Sequence, residues 1–377
     1  MNILQVTTGA LMGGGERHIL SLLEGFKDRA VNIFLAVFAE GRLSAAAREL
    51  GVEVFVIPKR YRGDVRPLLD LIRLIKTKQI DIVHTHLISG NFYGRLAGKA
   101  TRVKGIVSTL HHLDKEALGR FSLPFMQDLL FRLDILMAFL SDRIIAPSLE
   151  LKRLLLKHRV REDKIVHIPN AINLDNLQLP KEKTPISRER IGLPMNGKLV
   201  GMVGRMVPIK NFGLFLRAAK RVTDSGIKAN FVLVGDGPLR SELQKEVADL
   251  KLEEHVVFTG FREDVLQVVS TLDVFVLCSN SETFPLALIE AMALKKPVIA
   301  TNVGGIPEII DHMINGWLCP SGDEVSLANS ITHLLTHEEK ARELGNRAYQ
   351  KVATTFALKS MTDKLLDVYN RLMQTHY

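Results

Sequence analysis

Short apolar runs, each leading into glycines or a helical pattern, recur twice over along this chain, and that alternation constrains its fold more than any other feature. Residues 3–6 lead through glycines into an amphipathic stretch around Ile19, Leu22, Leu23 and Phe26. The runs at 31–38, 52–57, 80–84 and 105–110 repeat the theme. Residues 177–198 break it, with Pro180, Pro185 and Pro194 set among charges, and read as a linker. A second series follows at 199–203, 231–234, 255–258, 274–277 and 298–300. Strand-like runs alternating with helical patterns mark a parallel sheet covered by helices. An α/β protein of two doubly wound domains is predicted, with a ligand cleft between the carboxyl ends of both sheets. The 377 residues support this, because single cores rarely grow so large.

The two cysteines, Cys278 and Cys319, form no Cys-x-x-Cys pair. A zinc ribbon or disulfide framework is therefore excluded and a reducing compartment is expected. The first residues lack the basic segment of a signal peptide, and the longest stretch free of charge, 1–15, is too polar to span a membrane. A cytoplasmic protein is expected. Its net charge of +9 is unevenly placed: residues 1–180 hold 26 Lys and Arg against 18 Asp and Glu, leaving the remainder near neutral. A basic half suggests an anionic partner. The stretch 123–145 reads as one amphipathic helix with apolar residues at 126, 129, 130, 133, 136, 137 and 140. It suits either a core or a membrane surface.

Several turns carry candidate chemistry. Gly9 and Gly13 to Gly15 free backbone amides to approach an anion at a helix start, but neither Gly-x-Gly-x-x-Gly nor a P-loop lysine is present. Arg205 and Lys210 fall just beyond a predicted strand, where cations can neutralise a diphosphate. Gly235 and Pro238 sit in a tight turn after the next strand. In 281–292, Thr283 is the expected N-cap and Pro285 falls in the first turn. Glu282 would precede the helix and Glu290 would lie about two turns along it. His84 and His86 end a predicted strand; a zinc site needs further ligands at short spacing, none are nearby, and packing histidines are expected.

Taken in order, these residues resemble the retaining glycosyltransferases of family 4, which have the GT-B fold. The likeness runs through Gly13-Gly14, Ser-Thr-Leu-His111, Ile168-Pro169-Asn170, Gly204-Arg205 with Lys210, Gly235-Asp-Gly-Pro238, Glu282 with Glu290, and Thr301 with Gly304-Gly305-Ile-Pro-Glu308. It implies domains at 1–176 for the acceptor and 199–355 for a nucleotide-diphosphate sugar, with a helix at 356–377 crossing back to the first. It implies Arg205 and Lys210 on the diphosphate, Glu290 on the donor ribose, and Glu282 and His111 on the donor sugar. His112 stands beside His111, and Thr283 replaces a common glycine. Gly14, Gly235, Pro238, Phe284 and Pro285 complete the implied donor site. No cofactor or catalytic metal is implied, and no Asp-x-Asp occurs. The expected acceptor is a glycan, a lipid-linked saccharide or another cell-envelope molecule, reached by peripheral contact with an anionic membrane and without nucleic acid. The alternatives are a GT-B-fold sugar-nucleotide epimerase and a non-catalytic protein binding anionic surfaces.

Overall fold

The computed structural model describes residues 1–9, 13–61, 63–111, 132–175, 177 and 188–374. The chain forms two compact units, Met1–Asn173 with Leu358–Tyr377, and Leu174–Ala357.

In the first unit, strands β1 (Asn2–Thr7), β2 (Asn32–Val37), β3 (Glu53–Val56), β4 (Ile82–His86), β5 (Gly105–Thr109), β6 (Arg143–Ala146) and β7 (Ile165–His167) form one parallel sheet in the order β3-β2-β1-β4-β5-β6-β7. The order reverses between β1 and β4, the switch point at which doubly wound sheets bind ligands beyond their carboxyl ends. Side chains alternate across the sheet. Ile3, Ile82 and Val107 face Leu365, Tyr369 and Leu372 of the terminal helix Leu358–Gln374. Leu4, Val6 and Val83 join Tyr93 and Ala97 of helix Leu87–Thr101 on the other face.

The second unit repeats the plan with β8 (Lys198–Val203), β9 (Ala229–Val234), β10 (Val256–Gly260), β11 (Val274–Leu277), β12 (Val298–Thr301) and β13 (Trp317–Cys319), ordered β10-β9-β8-β11-β12-β13. Its switch point lies between β8 and β11.

Two expectations need correction. Of the linker 177–198, residues 178–187 lie outside the described residues, and 188–198 belong to the second unit. Ile191 and Leu193 are buried there, and Arg188 pairs with Asp273 at 3.1 Å. Pro194 lies in that folded part of the second unit. The helix expected over 123–145 is helical at 132–136, tightens over Met137–Leu140 and then gives way to β6; its portion 123–131 lies outside the described residues. The β-branched pair Ile144 and Ile145 favours the strand, and parallel pairing with β5 fixes it.

Candidate active site

In the second unit the loops after β8, β11 and β12 are tied into one edge. Lys210 ends the short turn Pro208–Lys210, and Asn211 caps the helix Phe212–Asp224, its side chain accepting from the Leu214 amide at 3.3 Å. Lys210 Nζ donates to Glu282 Oε1, and Ser279 Oγ donates to the same oxygen at 2.6 Å. The Glu282 side chain is 10% exposed, so its charge sits largely out of water and is held from two sides. Thr301, at the end of β12, donates to the Ser279 carbonyl at 2.6 Å, and the Gly305 amide donates to the Glu282 carbonyl at 2.9 Å. The Asn280 amide reaches the Ile209 carbonyl at 2.8 Å, which joins this loop to the one bearing Lys210. Arg205, just after β8, is exposed.

Two glycines allow this closeness. Gly304 has φ +53°, and a Cβ there would stand 1.9 Å from the Glu282 carbonyl oxygen. Gly235 has φ +129°, and its Cβ would stand 2.0 Å from the Gly204 carbonyl oxygen. Backbone cannot yield at such distances, so only glycine fits. Pro238 is exposed in the turn that follows β9.

The helix bearing Glu290 begins later than the sequence suggests. It spans Leu286–Ala293 with Pro285 in the N-cap position, not Thr283. A proline disfavours helical geometry in the residue before it, so Phe284 and Thr283 stay outside the helix. Glu290 is half-buried and lies just over one turn in, rather than two. Phe284 is buried, its ring edge-on to Phe356 at 5.3 Å, so that ring packs in the core and is not brought to the site surface.

In the first unit, Gly14 opens the helix Gly14–Phe26 and is exposed, with nothing within 4 Å of where a Cβ would stand. The adjoining Gly15 lies against His111, 3.6 Å from Cβ position to ring. His112 lies outside the described residues. His84 and His86 are fully buried members of β4, on the same face as Gln5. Gln5 donates to the Tyr369 hydroxyl at 3.5 Å and turns its carbonyl oxygen to His86 Nε2 at 2.7 Å. His86 Nε2 therefore carries the proton, and His86 Nδ1 accepts from His111 Nε2 at 3.2 Å. The Tyr369 hydroxyl donates to His84 Nδ1 at 2.6 Å, leaving His84 Nε2 to donate to Thr109 at 2.8 Å. Burial keeps His18 at about 4, and burial with neighbouring imidazoles keeps His84 and His86 well below the usual histidine value. Near pH 7 these three rings are neutral, and their bonds fix the His111 ring with its proton on Nε2.

The sequence reading missed Gln5, Ser279, Tyr369 and His18. Gln5 left one trace, a polar residue amid the apolar run of β1.

Residues 12–176 match Glycosyltransferase Family 4 and residues 183–351 match glycosyl transferases group 1. The N-acetyl-α-D-glucosaminyl L-malate synthase of Bacillus anthracis is 30% identical over 302 residues, 78% of this chain and 75% of that protein. The chain belongs to glycosyltransferase family 4. Another relative in this family is the UDP-Gal:α-D-GlcNAc-diphosphoundecaprenol α-1,3-galactosyltransferase of Escherichia coli, 28% identical over 98% of this chain and 96% of that protein. Among solved structures, HepE of Anabaena in complex with UDP-glucose matches with a TM-score of 0.87 at 22% identity, covering 98% of this chain and 100% of that one. That likeness is one of fold, and the fold is GT-B. The family 4 glycosyltransferase described here places Arg205, Lys210, Glu282 and Gly235 at the carboxyl edge of one sheet, and Gly14 and His111 at that of the other.

Proposed function

We propose that this enzyme transfers a hexosyl unit from a nucleotide-diphosphate sugar, with UDP sugars the first candidates, to a lipid-linked or other cell-envelope acceptor. The observation that carries it is the Lys210–Glu282–Ser279 arrangement at the switch point of the second sheet. There a cation and a fixed carboxylate stand together where a diphosphate and its sugar would lie. Arg205 and Lys210 neutralise the departing diphosphate, Glu290 holds the ribose hydroxyls and Glu282 holds the donor sugar. His111, with its proton on Nε2 toward His86, offers Nδ1 to a sugar hydroxyl. Transfer proceeds with retention by front-face attack, the leaving phosphate helping to deprotonate the acceptor. The charge of the leaving group falls to Arg205 and Lys210 without a catalytic divalent metal.

The names of the relatives support this reading. The Escherichia coli relative is named for UDP-Gal and a diphosphoundecaprenol acceptor, and the Anabaena structure holds UDP-glucose. They lend no support to an epimerase or a non-catalytic binder. A thermal-shift screen across sugar nucleotides tests it. A donor at 100 times its Kd should stabilise the native state by about 2.7 kcal/mol. Glu290→Ala should remove that shift while leaving the ligand-free melting curve in place. Equal shifts for the variant and the parent, or none for either, would end the proposal.

Peripheral membrane contact belongs to the same reading. No helix among the described residues is long and apolar enough to cross a membrane. Residues 1–180 carry the charge excess, and Leu133, Leu136 and Phe139 of the first unit are exposed. The protein should sediment with anionic but not neutral vesicles, and added salt should release it. Equal partition between the two would count against contact through the basic half.

A further inference from the structure

His18, His86 and His111 come from three separate elements, the helix Gly14–Phe26, the end of β4 and the loop after β5, and no sequence spacing connects them. In the fold, one ring nitrogen from each lies within 4.8 Å of the others. His86 Nδ1 and His111 Nε2 are 3.2 Å apart. Two imidazole nitrogens bound to one tetrahedral zinc ion, each at about 2.0–2.1 Å, stand roughly 3.3 Å apart, so this pair already has the spacing of a ligand edge. His18 is 3% exposed, and its Nδ1 has no hydrogen-bond partner among the described residues. His86 also has the outer support that metal-bound histidines have, its Nε2 proton held by the Gln5 carbonyl at 2.7 Å.

We infer that His18, His86 and His111 form a binding site for a divalent transition-metal ion, and that its occupation withdraws His111 from the donor sugar. Three imidazoles suit zinc, cobalt, nickel or copper rather than magnesium or calcium, and they leave a fourth position for water or an anion. His111 moves its proton from Nε2 to Nδ1, the nitrogen assigned above to the sugar. With its proton on Nδ1, that nitrogen can no longer accept from the sugar hydroxyl. The metal acts as an inhibitor here and takes no part in transfer. Only this withdrawal rests on the reading of His111 as a donor contact; the site itself does not.

Cobalt is the probe, because tetrahedral Co²⁺ absorbs visible light far more strongly than the octahedral ion. Untagged protein titrated with Co²⁺ should take up one equivalent with the tetrahedral spectrum, and one equivalent of Zn²⁺ should bleach it. His18→Gln should weaken binding by at least about 10²-fold, beyond what outer-shell partners usually contribute. His333→Ala with His337→Ala, which removes a stacked pair elsewhere, one ring half-buried and one exposed, should leave Co²⁺ binding unchanged. Uptake that is not saturable, an octahedral spectrum, or binding lost with the surface pair would overturn the site. Should His18→Gln fail to fold, the stoichiometry and spectrum of the parent protein decide alone. Inhibition of transfer should rise in step with occupancy. Full occupancy without inhibition would overturn the withdrawal of His111 while sparing the metal site.

Discussion

Lys210→Ala should lower kcat by about 10²–10³-fold, equal to about 2.7–4 kcal/mol of transition-state stabilisation. Lys210 has two partners in prospect. In the structure its ammonium serves Glu282, and in the reaction it would meet charge as it builds on the departing diphosphate. A donor fixed before the reaction begins needs no reorganisation, which gives its contribution the size expected of an oxyanion-type group. The Glu282 carboxylate would keep the Ser279 hydroxyl at 2.6 Å but lose its cation. Sugar placement should therefore suffer together with leaving-group stabilisation. Lys210→Arg would keep the charge but not the compact ammonium geometry, so it should recover only part of the rate. Steady-state kinetics with a bound donor would separate the effects. A loss confined to KM, with kcat within a few-fold of the parent, would show that Lys210 binds the ground state and does not act in the transition state.

Much of this site is legible in the sequence because it lies on strand ends. A run such as Val274–Leu277 declares itself by β-branched and aromatic residues, and the turn after it is where a parallel sheet presents ligands. That rule puts Arg205, Lys210, Glu282 and Gly235 just beyond strand ends, and the family resemblance supplies the roles proposed for them. Strands β6, β7 and β13 are not, for a different reason. β7 and β13 have three residues each, too few to show a period, and β6 continues an apolar stretch that began as helix. The histidine cluster escapes for a third reason. Ligand spacing along a chain reveals only sites built from one segment, whereas His18, His86 and His111 meet through strand order. The parallel neighbours β4 and β5 bring His86 and His111 together, and helix packing adds His18. Spacing along the sequence is therefore no guide to a cluster that topology assembles.

Arg95→Leu should destabilise the first unit by about 3–5 kcal/mol, the usual cost of leaving one half of a buried ion pair without the other. In the sequence Asp134 reads as the polar side of an amphipathic helix. The structure instead turns it inward to Arg95, whose side chain is fully buried. Arg95 donates through Nη1 to the Asp134 carboxylate at 2.6 Å and to its carbonyl at 2.8 Å, and through Nε to Ser108 at 3.0 Å. Ser108 in turn bonds Thr85 at 2.7 Å and Ser141 at 2.8 Å. This polar network fills the face of β4 and β5 opposite His84 and His86. Burial lowers the pKa of Arg95 and raises that of Asp134, so each charge depends on the other to remain ionised. With leucine at 95, Asp134 would keep only the Asn91 amide at 3.1 Å. Replacing both residues by leucine should cost less than the single change, because no lone charge would remain. Trp317, the single tryptophan, lies in the second unit, so its fluorescence reports that unit alone. Amide exchange in β4 and β5 should accelerate by about 10²–10⁴-fold in Arg95→Leu, at roughly 1.36 kcal/mol for each factor of ten. The Trp317 unfolding transition should stay where it is. Unchanged protection of β5 would mean that the pair is no more than neutral, and that Ser108, Ser141 and Thr85 hold the two strands without it.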